Sequence, residues 1–136
     1  MESWLLYVTV TFILWGVGGI LSKLAVNYVG PESSFGYQII GALLVGVLAY
    51  IFLGFRLGMN VKGAFWGITY GALAMLGGLF YLLAINKGSV SLVTTISGLY
   101  PVVTIVLALI LFKEPVTIKQ GFGMFLALSA IALMST

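Results

Sequence analysis

The sequence predicts an all-α membrane protein built as a bundle of five transmembrane helices, from composition, hydropathy and span length. Hydrophobic residues make up 62% of the chain and charged residues only 7%, whereas about a quarter of a soluble domain is charged. The mean hydropathy is +1.22. Five apolar stretches long enough, or nearly so, to cross a bilayer lie between short polar turns, at residues 4–25, 34–52, 64–85, 90–112 and 118–134. The 136 residues leave no room for a second domain, so residues 1–136 are expected to form one.

The first span carries a stripe of aromatic, hydroxyl and small residues that is unusual for a lipid-facing surface. At helical spacing, one narrow face contains Trp4, Tyr7, Thr11, Trp15, Gly18 and Ser22. Trp15 lies near mid-membrane, and Gly18 with Ser22 would permit close helix approach. Trp15 and Ser22 are therefore candidate substrate contacts. Lys23, about one turn from the end of the span, is expected to extend its amine to the headgroups.

The second span is expected to follow a turn at residues 27–33, centred on Gly30 and Pro31. Ser33 or Ser34 would cap the helix that follows. Gln38 is interpreted as an interfacial hydrogen-bonding residue rather than a substrate contact.

The third span has the clearest packing pattern. One stripe contains Gly63, Gly67, Gly71, Ala74, Gly78 and Tyr81. Overlapping GxxxG steps let helix backbones approach closely, so the stripe is interpreted as a structural contact. Tyr81 needs a polar partner for its phenol at this depth and is the candidate substrate contact from this helix.

The fourth span organises the prediction, because Pro101 interrupts an uncharged run of 23 residues from Val90 to Phe112. Proline cannot donate to the Ser97 carbonyl, so a backbone acceptor needs another partner at membrane depth. One face of this helix carries the polar and small residues, namely Ser91, Thr94, Ser97, Gly98, Pro101 and Thr104. Two interpretations stay open: the hydroxyls bond back to their own helix, or this face lines a polar pathway. Under the second, Thr94, Ser97, Pro101 and Thr104 are candidate substrate contacts.

The short connections around the fourth span have helix-end chemistry. Gly88 suits a left-handed helix end, and Ser89 suits the N-cap of the helix that follows. Thr117 and Gln120 have capping-box spacing at the start of the fifth span.

The residues that the chain lacks exclude several functions. It has no cysteine and no histidine, which excludes disulfides, thiol chemistry and imidazole metal sites. The three acidic residues Glu2, Glu32 and Glu114 all lie at predicted helix ends, so no span carries a carboxylate for proton coupling. No pair of catalytic groups suggests an enzyme, no cofactor or metal is expected, and the scattered basic residues give little support for nucleic-acid binding.

The orientation signal is weak. With a cytoplasmic N-terminus, Arg56, Lys62, Lys113 and Lys119 face the cytoplasm and Lys23 and Lys87 face outward, four against two. Insertion in both orientations is compatible with this small margin. Because the number of spans is odd, a second copy in tandem would be inverted, as in many secondary carriers.

Two stretches resemble the EamA-type domain of the drug/metabolite transporter superfamily. The first is Trp15-Gly16 followed by Ser22-Lys23. The second, more specific, runs from Ala84 to Met124 and reads AINKGSVSLVTTISGLYPVVTIVLALILFKEPVTIKQGFGM. The five-span layout is similar to a single-domain bacterial and archaeal branch of that family, whereas typical members carry two such domains. In the two-domain relatives, the first, third and fourth helices of each half line the central cavity.

The resemblance implies a multi-pass carrier in the inner or plasma membrane that moves a small metabolite or drug, as an exporter, by alternating access. It also implies assembly from two copies, as an antiparallel homodimer or as a heterodimer with a second half, in contact with membrane lipid. Glu114 matches a glutamate at a helix end of the family and is interpreted as a loop-fixing or capping residue. The alternative function is a non-transport assembly or lipid-handling (flippase-like) protein, whose glycines and hydroxyls serve packing alone.

Overall fold

The computed structural model describes residues 3–54, 58, 60–113 and 116–134, and every regular element in these residues is a helix. The elements are α1 (Ser3–Leu53), α2 (Val61–Lys87), α3 (Val90–Ser97), α4 (Tyr100–Leu111) and α5 (Ile118–Met134). Contacts divide the chain into two compact units, Met1–Lys87 and Gly88–Thr136. The predicted class, an all-α membrane protein, is confirmed.

Three helical stretches are long and apolar enough to cross a membrane: Trp4–Leu53, Val61–Lys87 and Val90–Leu111. A shorter apolar helix covers Gly121–Ala130. The first stretch contains the first two predicted spans, the second contains the third, and the third covers the predicted fourth span except for its last residue.

Helix α1 consists of two arms, at residues 3–29 and 31–53, separated at Gly30, where φ is 77° and ψ is 168°. The expected turn over residues 27–33 is therefore too wide. Gly30 occupies the N-cap position of the second arm and Pro31 its first helical position, where proline's missing N–H costs nothing. The expected cap at Ser34 is wrong, because Ser34 lies a full turn inside the arm and its hydroxyl has no hydrogen-bond partner among the described residues.

Helix α2 begins at a cap that was not predicted. The Asn60 side-chain oxygen accepts from the Gly63 amide at 3.0 Å, and the Asn60 carbonyl accepts from the Ala64 amide at 2.9 Å. The helix is about a turn longer than the predicted 64–85. It packs on α1, and Val26, Leu82 and Ile85 are buried, with exposed fractions of 4%, 0% and 0%.

The glycine stripe of α2 was predicted to form a close helix contact, but Gly67 and Gly71 form none among the described residues. Among the described residues, no atom outside the local helix lies within 4 Å of a Cβ built at Gly67 or Gly71, so their side of the helix is open. At Gly78, the same construction meets the Gln38 side-chain oxygen at 4.0 Å. Close approach at Gly18 is also wrong for these residues, because nothing lies within 4 Å of it.

The second unit begins with the predicted cap at Ser89, whose hydroxyl accepts from the Leu92 amide at 3.4 Å. The left-handed conformation expected at Gly88 is wrong, because only Gly30 and Gly54 have positive φ among the glycines that the structure describes. Helix α3 ends at Ser97 and α4 begins at Tyr100, so the interruption predicted around Pro101 is present.

Helix α5 has the predicted bounds and contacts α3. The Thr117 carbonyl accepts from the Gly121 amide at 2.9 Å, which closes the first turn. Lys113, just beyond α4, has a φ of 51°. The predictions for Glu2, Arg56, Glu114 and the Gln120 side chain concern positions outside the described residues and side chains.

Candidate functional site

The predicted site residues divide between the two units. Trp15, Ser22 and Tyr81 belong to the first, and Thr94, Ser97, Pro101 and Thr104 belong to the second. Each group is described within its own unit.

In the first unit, a hydrogen bond joins the two arms of α1 into a hairpin. The Gln38 amide nitrogen donates to the Ser22 hydroxyl oxygen at 3.3 Å. Ser22 lies eight residues before Gly30 and Gln38 eight residues after it, so the arms pair in symmetric register. Gln38 was expected at the interface and is instead an interhelical contact; its other amide atom faces Gly78 of α2.

An open groove with a volume of about 380 Å³ runs between the arms at this pair. Its lining consists of Gly18, Leu21, Ser22 and Ala25 from the first arm, and Ser34, Tyr37 and Gln38 from the second. Small-molecule sites in proteins have volumes of about 300–1,000 Å³. Of the predicted residues, Ser22 lines the groove, whereas Trp15 and Tyr81 do not.

Ser34 is the most unusual polar residue of this groove. Its side chain is fully buried, with an exposed fraction of 0%, and no residue that the structure describes forms a hydrogen bond with its hydroxyl oxygen. Leaving a buried hydroxyl without a partner costs about 1–3 kcal/mol. The spacing of the polar residues indicates this site. Ser34 and Gln38 are four residues apart and so share one face of the second arm, and Gly18 and Ser22 have the same spacing on the first arm.

Lys23 forms a polar link between α1 and α2. Its ammonium donates to the Ile85 carbonyl oxygen at 2.5 Å, and the side chain is part-buried. Ile85 is in the last turn of α2, where backbone carbonyls lack helical partners and the helix dipole favours a cation. Extension of Lys23 to the headgroups is therefore wrong in this structure, since the amine is bound by the end of α2.

In the second unit, the interruption before Pro101 is a tight turn and not a sharp bend. Gly98 and Leu99 keep right-handed φ/ψ values of −62°/−7° and −76°/−8°. Short i to i+3 bonds hold the turn, with the Leu99 amide donating to the Ile96 carbonyl at 3.1 Å and the Val102 amide to the Leu99 carbonyl at 3.0 Å. Pro101 lies in the first turn of α4, where it disrupts no internal bond.

The hydroxyls around this turn differ in their hydrogen bonds. Thr95 donates to the Ser91 carbonyl at 2.8 Å, and Thr104 donates to the Tyr100 carbonyl at the longer distance of 3.5 Å. Thr94, Ser97 and Thr104 are all exposed in the described structure. The Thr104 hydroxyl therefore bonds back to its own helix, as the first interpretation expects. The second interpretation, a polar pathway along the exposed face, stays a prediction.

The site contains no arrangement suited to metal binding or carboxylate chemistry. Among the described residues, no group of three or more Asp, Glu, His or Cys side chains comes together. The groove of the first unit is lined by uncharged residues alone.

Comparison with known proteins gives one family match and one relative. The model of the EamA-like transporter family matches residues 2–136. An uncharacterised protein of Methanocaldococcus jannaschii is 31% identical over 70 residues, which are 52% of this chain and 51% of the relative. The chain thus spans about half the length of the curated relative that it matches. No solved structure matches the chain.

Proposed function

The chain belongs to the EamA-like transporter family, and we propose that it carries a small neutral or zwitterionic metabolite across the inner membrane by alternating access, in the export direction. Membership makes it a multi-pass membrane transporter of the drug/metabolite superfamily. The direction, the mechanism and the assembly are the proposed parts.

The interrupted helix of residues 90–111 carries the proposal. Helix interruptions at membrane depth occur where backbone lines a cavity or is covered by protein, because lipid cannot satisfy the freed groups. Here the turn at Gly98 and Leu99 stands beside the exposed hydroxyls of Ser97 and Thr94. A substrate pathway supplies polar surroundings for such a turn.

We propose that the working unit is an antiparallel homodimer. The resemblance to two-domain family members implies two halves around one cavity, and the family model matches residues 2–136 of this chain. Large apolar side chains are widely exposed, Leu73 and Phe80 among them, and the side of α2 at Gly67 and Gly71 is open. Both features leave surface for a second copy, and the small basic-residue margin permits opposite insertion.

Coupling to an ion is expected to avoid a membrane-embedded carboxylate. The three acidic residues of the sequence lie at positions 2, 32 and 114, outside the five predicted spans, and Glu32 is exposed in the first turn of the second arm of α1. Transport is therefore expected to depend little on the protonation of a carboxylate at the midplane.

The test begins with a ligand screen by thermal shift on purified protein, because a bound substrate raises apparent stability whichever way transport runs. Hits are then loaded into reconstituted vesicles and their efflux is measured. Saturable efflux that is lost in Pro101→Ala supports the proposal. Binding without efflux from vesicles of either orientation would contradict it.

A further inference from the structure

We propose that the groove between the arms of α1 binds the neutral carbonyl group of an amphipathic molecule, held by the hydroxyls of Ser22 and Ser34. The proposal concerns binding alone and holds whether or not the chain transports a metabolite. It comes from the hydrogen-bond donors that the groove leaves unused.

The Ser22 hydroxyl is half satisfied. Its oxygen accepts from the Gln38 amide at 3.3 Å, and its own proton has no acceptor among the described residues. Within the described part of the chain, the Ser34 hydroxyl has no partner. The groove therefore has one unused hydroxyl proton at Ser22 and a second, buried one at Ser34 on the opposite arm.

Most other hydroxyls in apolar helices of this chain satisfy themselves. Thr9, Thr11, Thr69 and Ser129 each donate to the carbonyl four residues earlier, at 2.8 to 2.9 Å. This local bond is the usual solution for a serine or threonine within a helix. Ser34 does not use it, although it is more buried than any of them. What distinguishes Ser34 in the described part of the chain is that its hydroxyl is both buried and without a partner.

A ligand group that binds two hydroxyl donors must be a hydrogen-bond acceptor. Because the residues that line the groove are uncharged, we expect this acceptor group to be neutral. A carboxylate or phosphate would need a cation, and the residues that line the groove are all uncharged. An ester, amide or ketone oxygen accepts two hydrogen bonds without bringing a charge. The apolar surfaces of Gly18 and Leu21 suit the hydrocarbon part of the same molecule.

The depth of the groove points to the same chemistry. Ser34 lies four residues and Ser22 eight residues from Gly30, about 6 Å and 12 Å along the arms from the turn. This is the outer part of the hydrocarbon region. Two sources of a neutral carbonyl reach this level: the ester groups of a membrane lipid and a free amphipathic ester or amide.

A ligand reaches Ser34 through a small local change. The Ser34 hydroxyl is buried, so binding requires its single side-chain torsion to adopt a rotamer that faces the groove. Tyr37, at 64% exposure, is the large side chain of the lining beside it in sequence. On binding, the Ser34 hydroxyl gains the hydrogen bond that it lacks in the described structure.

The experiment compares ester and ether forms of the same probe. Delipidated full-length protein is mixed with a diacylglycerol or with the dialkyl ether that lacks its carbonyls, and retained lipid is counted by native mass spectrometry. In a second arm, ethyl butanoate and its ether analogue are compared by thermal shift. With one hydrogen bond from each serine hydroxyl to the carbonyl, the protein should bind the ester roughly tenfold more tightly than the ether. Preference in the first arm identifies a lipid as the source, and preference in the second arm alone identifies a free ester.

Variants keep the test specific. Ser34→Ala and Ser22→Ala should each reduce the preference several-fold, while Ser129→Ala, whose hydroxyl is satisfied within its own helix, should leave it unchanged. Equal retention of ester and ether by the wild type in both arms would overturn the proposal. An unchanged preference in Ser34→Ala would also overturn it, since the buried hydroxyl would then be a defect that folding tolerates.

Discussion

The Lys23 ammonium donates to the Ile85 carbonyl, 62 residues further along the chain, and so fixes the end of α2 against the first arm of α1. Ile85 is itself buried, as are Val26 of α1 and Leu82 of α2. The polar link and the small apolar core therefore share Ile85.

Replacement of Lys23 by methionine should destabilise this unit. The variant keeps most of the apolar stem but removes a charge-assisted hydrogen bond, which contributes about 1.5–3 kcal/mol. Detergent melting curves should show a lower Tm for Lys23→Met. Lys87→Met, at the exposed end of α2, is the matched control and should change little. Equal melting of the two variants would show that the Lys23 bond is not formed in the protein.

Gly30→Ala should strain the hairpin. With φ at 77° and ψ at 168°, Gly30 occupies a region that is essentially restricted to glycine, at a cost of about 1–3 kcal/mol for other residues. Gly36→Ala is the control, because Gly36 is helical and a Cβ there meets open space. The free energy of unfolding should fall only for the first variant. A Gly30→Ala protein as stable as wild type would indicate a turn of another geometry.

Sequence reasoning predicted the helices better than their contacts. The bounds of α5 and the cap at Ser89 follow from local chemistry, and so does the interruption at Pro101. The partners of Lys23, Gln38 and Ser34 depend on which helix faces lie side by side, and apolar spans give little periodic pattern to decide that. The glycine stripe shows the same limit, since GxxxG spacing indicates a close contact without saying whether the partner is the same chain or another.

Gly71→Leu should affect assembly more than the fold of one chain. No described atom outside the local helix lies within 4 Å of a Cβ at Gly71, so a larger side chain has room in the single chain. If a second copy covers this side, leucine blocks it. Light scattering in detergent should show dissociation for Gly71→Leu and not for Gly77→Leu, which faces another side of α2. Dimers retained by the Gly71 variant would place the interface elsewhere.

Pro101→Ala should leave the protein folded and impair transport. Alanine is compatible with the first turn of α4 and adds an N–H that can bond to the Ser97 carbonyl, which would extend α3 into α4 as one regular helix. Vesicle efflux of a substrate found by the ligand screen should drop at least several-fold, with an unchanged Tm. Pro31→Ala, in the first turn of the second arm of α1, is the control. Full efflux by Pro101→Ala would remove the interrupted helix from the mechanism.

The most direct test of the central claim, a carrier made of two oppositely oriented copies, is cysteine labelling in intact cells. The chain has no cysteine, so Gly58→Cys and Thr136→Cys each introduce a single thiol, on opposite sides of the membrane in the five-span arrangement. An impermeant maleimide is added before and after lysis. The account predicts that each variant is labelled to about half before lysis. Complete labelling of one variant and none of the other would contradict it, because all copies would then share one orientation.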